Sequence, residues 1–356
     1  MPSPHPVIVE APRLEALVRR IFEAAGSGER EAALVARHLV EANLRGHDSH
    51  GIGMIPAYIE NALAGVLPLN QALRVDLDTG PLLVCDAGIG LGQAMAHDAM
   101  VLGIERARRH GTCIVGLRNA HHIGRIGHWA EQCTAAGLVS IHFVNVASRP
   151  AVAPHGGTQA RMGTNPLAIG IPRPGDEPIV VDFATSRWAV GKVRVAQNKG
   201  EALPPGILLD AEGRDTADPA QLFAEPAGAL LTMGEHKGWG LSLACELLAG
   251  ALLDAEPLKG ERSSHAIINS MLTVIVSPDR LASAGAFAQK LEAVLAWVQS
   301  ETREGRPAVR LPGDPERETR AARLAAGIPV DPKTWQEVLN AAAQAGLPEA
   351  ELAALR

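Results

Sequence analysis

The sequence predicts an α/β protein in which a mixed-sheet central domain is closed by a discontinuous helical domain drawn from both ends of the chain. Between residues 82 and 146, short apolar runs alternate with amphipathic stretches, giving the strand–helix–strand–helix–strand order of crossover-connected sheets. On either side, residues 12–64 and those after 284 carry helical periodicity instead. The expected division is 1–75 plus 284–356 for the helical domain and 76–283 for the mixed domain. A length of 356 residues, at about 150 per domain, fits two units.

Each element has a local reason. Residues 12–25 and 28–44 read as amphipathic helices; in the second, Ala33, Leu34, Ala36, Leu39 and Val40 share a face and Glu41–Arg45 is an i,i+4 pair. A polar break over 45–51 precedes a short helix from Pro56 to Ala64. Strands are expected at 82–85, 112–117, 138–146, 167–171 and 179–181, with helices up to His110 and over 122–136. Turn signals crowd 196–226. An apolar helix over 238–253, a strand over 266–276 and helices at 284–302, 315–326 and 333–356 complete the chain.

Composition removes several function classes. Lys and Arg number 33 against 39 Asp and Glu, a formal charge of −6 that offers no footprint for nucleic acid or anionic lipid. Aromatics at 3% leave little for base stacking. Cys85, Cys113, Cys133 and Cys245 form no C-x-x-C pair and are expected as reduced core residues. Residues 1–15 lack an apolar targeting core, and no uncharged apolar run is long enough to span a membrane. A cytoplasmic protein is expected.

Gly88, Gly90 and Gly92 lie between a strand and a helix, where a dinucleotide fingerprint belongs, but Gln93 and Met95 occupy the third glycine position in either register. A dinucleotide, if bound, is therefore not held by a Rossmann unit. Histidines say more: His50 stands at a helix end beside Ser49 and Asp48, where imidazole chemistry near neutral pH is useful. His121 and His122 are adjacent, so their side chains diverge and chelate poorly; no metal site is expected. The segment 119–127 reads as a helix start whose amides and Arg125 suit an anion, with a plain helix cap as the other reading. Residues 180–186 end an apolar strand in small polar groups suited to phosphate or ribose. In 234–240, Lys237 stands as a point charge before an apolar helix.

Together the segments 45–51, 119–124, 163–166, 181–186, 236–238 and 310–313, followed by Arg323 and Gly327, resemble the type-2 malate/L-lactate dehydrogenase family, also called sulfolactate dehydrogenase-like oxidoreductases. Residues 49–56 and 121–127 are most similar to its hydroxycarboxylate dehydrogenase branch. The resemblance implies a non-Rossmann mixed-sheet fold, a homodimer, NADH or NADPH as cofactor, and a small 2-oxo or 2-hydroxy acid substrate. It assigns His50 as proton donor and gives His122 a general acid/base role as in ureidoglycolate-oxidising members, while Ser49 is expected to orient substrate or imidazole. It lines the cofactor with Arg125, Gly127, Val181, Asp182, Phe183, Ala184, Thr185, Ser186, His236, Lys237, Asn269, Gly313 and Asp314.

Three positions depart from the family pattern. Met54 stands where many members carry an arginine for the substrate carboxylate, Ala120 where many have serine, and Asp314 where glutamate is common. Arg125, Arg45 or backbone donors are the alternative carboxylate partners. The alternative activities are a cyclic-imine reductase of the same family, a metal-dependent lyase or hydrolase built on the histidines, and a silent NAD(P)-binding protein.

Overall fold

The structure is a computed structural model that describes residues 5–255, 266–283, 285–301 and 307–353. A short strand, β1 (Val7–Val9), leads into α1 (Ala11–Ala24) and α2 (Glu29–Leu44). Pro12 in the first turn of α1 presets a helical φ. Leu14, Val18, Ile21 and Phe22 recur on one face of α1 and are fully buried. After two tight turns, α3 (Ile55–Leu63) adds Ile55, Tyr58 and Ile59 to the same core.

The chain then enters the sheet through β2 (Arg74–Asp78) and β3 (Leu82–Asp86), followed by α4 (Gly92–His110) and β4 (Thr112–His121). The run α5 (Gly127–Ala135), β5 (Val139–Ala147), β6 (Leu167–Ile171) and β7 (Ile179–Phe183) follows. A small satellite comprises α6 (Val190–Lys199), β8 (Leu208–Leu209), β9 (Asp215–Thr216) and β10 (Ala229–Leu230), around Val193, Leu203, Leu208, Leu222 and Leu230. Next come α7 (His236–Cys245), which continues through a π turn to Gly250 and a 3₁₀ turn to Leu253, and β11 (Ile268–Val276). β11 inserts between β4 and β5, so the seven-stranded order is β2-β3-β4-β11-β5-β6-β7. Only β3–β4 is parallel. One face of this sheet packs on α4 and α5 through Leu83, Val115, Leu117, Trp129 and Met271.

The last elements are α8 (Pro278–Leu281), α9 (Ala286–Gln299), α10 (Asp314–Ala326), β12 (Ile328–Val330), α11 (Pro332–Gln344) and α12 (Glu349–Ala353). β12 pairs antiparallel with β1, and Trp335, Val338 and Leu339 of α11 join the core of α1–α3. That core is thus built from both ends of the chain. No residue of α9 is buried; it lies along the chain after β11 and is tied to the β6–β7 turn by Arg173–Glu292. Among the described residues no helix is long and apolar enough to cross a membrane. The ends of the expected C-terminal helices at 284, 302 and 354–356 lie outside the described residues.

The mixed-sheet α/β class is as the sequence predicts, and several boundaries are corrected. Residues 122–126 are not helical, because their amides are taken by distant side chains: Asn269 Oδ1 accepts from Ile123 N at 3.0 Å and His38 Nε2 from Arg125 N at 2.9 Å. Gly124 between them has φ +74° and no room for a Cβ, which would lie 2.1 Å from His38 Nε2. β2, not expected as a strand, alternates charged and apolar residues over only five positions, all of them exposed along the sheet edge.

Candidate active site

Asn43, near the end of α2, shapes the turn that carries Ser49 and His50. Its Oδ1 accepts from Ile52 N at 2.8 Å and its Nδ2 donates to Asp48 Oδ1 at 2.6 Å. Arg323 of α10 clamps the same Asp48 carboxylate with both terminal nitrogens, at 2.6 and 3.0 Å. Helix α6 closes over the turn: a Cβ on Gly191 would stand 2.6 Å from Ser49 Cβ. Ser49 Oγ lies 3.0 Å from His50 Nδ1, and no described residue hydrogen-bonds to His50 Nε2. His50 is part-open to the cleft and its ring stacks on that of His122, centroids 5.6 Å apart at 27°.

The two imidazoles are uncharged in this state. Burial pushes His50 down to about 4, helped by the charges of His47, Arg125 and Lys192 and opposed by Asp182. Burial takes His122 well below the ordinary histidine range. This corrects the expectation that His50 titrates near 6.5: the site removes water from the ring without placing a carboxylate against it.

A second group forms where β7, the start of α5 and the Gly313 turn meet. Arg125, Asp182 and Gly313 line one narrow cleft with Arg45, Glu316 and Arg317. The expected anion site at the α5 N-terminus is filled by the chain itself, since Asp182 Oδ2 accepts from Gly127 N at 2.9 Å. Arg125 is buried, hydrogen-bonded to Glu131 and 3.5 Å from Asp182. Arg45 faces the same Glu131 at 3.3 Å. Neither arginine is an uncompensated cation waiting for a carboxylate.

The other expected contacts divide. Thr185 Oγ1 donates to the carbonyls of Thr164 and Asn165, both at 3.0 Å, and Ser186 Oγ to Trp188 O at 2.7 Å, so both hydroxyls are committed to the backbone. Asn269 spends its amide on Ile123 N, Asn145 O and Ile268 O and so holds the 122–126 loop. Asp314 Oδ2 accepts from Leu311 N at 2.6 Å and Oδ1 binds Arg317, which shapes the Gly313 turn (φ +97°). Val181 and Phe183 flank Asp182 on β7 and, like Ala184, are half-buried. His236 and Lys237 are exposed at the start of α7, with the His236 ring beside His155 at 5.9 Å. Among the described residues no hydrogen bond joins them to the Arg125 group.

Two residues near the histidines were not singled out from sequence. Tyr58 lies beneath His122, its hydroxyl 2.5 Å from Nδ1. Lys192, exposed on the first turn of α6, is close enough to depress His50. The clue to Tyr58 is that the chain has a single tyrosine. Lys192 lies just before the turn-rich stretch, where no helix was expected.

The family model for malate/L-lactate dehydrogenase matches residues 9–339. Hydroxycarboxylate dehydrogenase B of Escherichia coli (strain K12) is 45% identical over 348 residues, covering 97% of this chain and 96% of its own. The crystal structure of Δ1-piperideine-2-carboxylate reductase from Pseudomonas syringae superimposes with TM-score 0.84 at 33% identity, over 94% of this chain and 99% of that one. Sulfolactate dehydrogenase from Methanocaldococcus jannaschii does so with TM-score 0.86 at 29% identity, over 97% and 99%.

Proposed function

Because the chain belongs to the malate/L-lactate dehydrogenase family, a family of nicotinamide-dependent oxidoreductases, we propose that it interconverts 2-oxo acids and 2-hydroxycarboxylic acids by hydride transfer, with His50 exchanging the substrate proton. The observation that carries this reading is the stacked His50–His122 pair, with each Nδ1 engaged by a protein hydroxyl and each Nε2 left without a protein partner among the described residues.

The donor set of the adjoining cleft fits a dinucleotide. Asp182 and Glu316 are acceptors suited to ribose hydroxyls, and the Gly313 turn brings bare backbone to the cleft wall. Val181, Asp182, Phe183 and Ala184 would border the cofactor from β7, and Arg125 and Gly127 from the start of α5. Thr185, Ser186, Asn269 and Asp314 would shape that wall through the backbone bonds described above. His236 and Lys237 would meet the phosphates from α7. When bound, the nicotinamide supplies or accepts the hydride.

His50 performs the proton step. Its neutral resting state serves alcohol oxidation, where Nε2 takes the hydroxyl proton. In the reverse direction the imidazole must be charged, and a substrate carboxylate beside it raises its proton affinity. Ser49 holds Nδ1 and orients the ring. With Met54 packed on the helical core and Arg45 and Arg125 paired to Glu131, Lys192 is the cation we assign to the substrate carboxylate.

We also propose that the chain is a homodimer of the cytoplasm. Helix α7 and its continuation are apolar nearly all round, yet Leu247 is 52% and Leu252 65% exposed; an apolar helix of this kind needs cover. The four cysteines are free and buried, as in a reducing compartment.

The test is nicotinamide absorbance at 340 nm with a panel of 2-oxo acids and cyclic imines, for the parent and His50→Ala. Turnover of 2-oxo acids is expected, falling about 10²–10⁴-fold in the variant. Turnover confined to cyclic imines moves the reading to the reductase branch, and a variant retaining half its saturated turnover removes His50 from the proton step.

A further inference from the structure

Below the two imidazoles runs a sealed hydrogen-bonded string that the reaction as described leaves unused. Tyr58 is fully buried on α3. Gln93, 1% exposed in the first turn of α4, donates from Nε2 to Tyr58 Oη at 2.9 Å. Tyr58 Oη lies 2.5 Å from His122 Nδ1. The string joins three elements, α3, α4 and the loop after β4.

Its polarity follows from the orientation of the Gln93 amide, which turns Nε2 to Tyr58 and leaves Oε1 buried without a hydrogen-bond partner among the described residues. An oxygen that accepts from Gln93 keeps its own O–H for its remaining neighbour, the His122 Nδ1 lone pair. Burial raises the Tyr58 hydroxyl above its ordinary value, so it keeps that proton. A neutral imidazole whose Nδ1 accepts must carry its hydrogen on Nε2. Nε2 has no partner among the described residues and is not among the sealed polar atoms. His121, the other histidine packed edge-on against Tyr58 at 5.3 Å, is occupied by Asn61 at 3.1 Å and does not compete.

We infer that Tyr58, backed by Gln93, is a positioning residue that fixes His122 as a neutral Nε2–H donor beside His50, so that His122 hydrogen-bonds the substrate oxygen while His50 alone exchanges the proton. The inference rests on the active site proposed above. Without the string His122 can present a lone pair to the substrate oxygen, replacing an attraction by a repulsion. The two histidines then divide the work as fixed donor and mobile proton carrier, which keeps two adjacent imidazoles from both having to be charged.

The experiment has a readout that needs no turnover. Histidine ring nitrogens of the ¹⁵N-labelled full chain are observed at pH 8, with His122 assigned by its absence in His122→Asn. A single Nε2–H tautomer is expected in the parent and a mixture in Tyr58→Phe, which keeps the ring and its packing. In the assay, Tyr58→Phe should lose about ten- to a hundredfold in kcat with KM within about threefold, and Gln93→Leu should lose less. A parent protonated on Nδ1 overturns the inference. So does a Tyr58→Phe protein that keeps one tautomer and its kcat, even with a lowered melting temperature. Should 2-oxo acids prove not to be substrates, the tautomer result still stands by itself.

Discussion

Acidification should destabilise this protein steeply between about pH 6.5 and 5.5. His38, His121, His122 and His142 are buried. Burial pushes His121 down to about 4 and His142 to about 3, and takes His38 and His122 well below the ordinary value. In the unfolded chain each titrates near 6.5. Their folded values lie below their unfolded ones, so their stabilising contribution is complete above about pH 6.5 and is lost as pH falls toward the folded values. At pH 5.5 an unfolded imidazole is about nine-tenths protonated and its native counterpart hardly at all, a cost of roughly 1 kcal/mol or a little more each and roughly 5 kcal/mol for four. That is as large as the whole stability of many domains, about 5–15 kcal/mol. The half-buried His50 and His128, also pushed down by burial, act in the same direction. Urea unfolding followed by tryptophan fluorescence, at pH 7.5, 6.5 and 5.5 and one protein concentration, measures the loss. Near pH 5.5 the four groups give a slope of about 5 kcal/mol per pH unit. His142→Asn, whose amide can still reach Ser140 and Thr273, should reduce that slope by about a quarter. A total loss below about 2 kcal/mol between pH 7.5 and 5.5 would refute the reasoning, since the native imidazoles would then already hold protons.

Three further outcomes are expected. Lys237→Met should weaken NAD(P)H binding and reduce its salt dependence, read by fluorescence titration at two ionic strengths; an unchanged Kd at low salt would remove Lys237 from the cofactor site. Leu247→Glu should shift sedimentation toward the monomer, and a dimer that persists would place the interface elsewhere. Prolonged EDTA dialysis should leave activity intact. Among the described residues no three His, Cys, Asp or Glu side chains converge, and His121 and His122 are turned to different partners, Asn61 and Tyr58. A stoichiometric metal whose removal abolishes turnover and whose return restores it would overturn this and the role of His50.

What the sequence revealed and what it hid differ by range of interaction. Helices α1 and α2 were legible because Leu14, Val18, Ile21, Leu39 and Val40 write their period locally. β1 and β12 were not, because three residues carry no period and each exists only by pairing with the other. The family motifs located Ser49, His50, His122 and Asp182 as chemically notable. Their electrostatics stayed hidden: that Glu131 and Asp182 already neutralise Arg125, that Thr185 and Ser186 spend their hydroxyls on carbonyls, or that Tyr58 supports His122 from 64 residues away. Local sequence announces a residue's chemical capacity, whereas how much of it is already used is a tertiary property.

The place of β11 has a consequence for how the protein is made. β4 and β5 never pair with each other; each pairs with β11, which follows β5 by more than a hundred residues. A ribosome adding about 5–20 residues per second needs roughly 6–26 seconds to travel from the end of β5 to the end of β11. Throughout that interval the emerging sheet consists of two halves, each with an open edge, that of β5 carrying Val139, Ile141, Val144 and Val146. The helical core cannot shield them, since β12 and α11 are synthesised later still. The nascent chain therefore passes through a period in which both edges can recruit each other wrongly or pair with a neighbouring polysome product. Its yield in the cell should depend on translation speed and holding chaperones more than the stability of the finished fold would suggest.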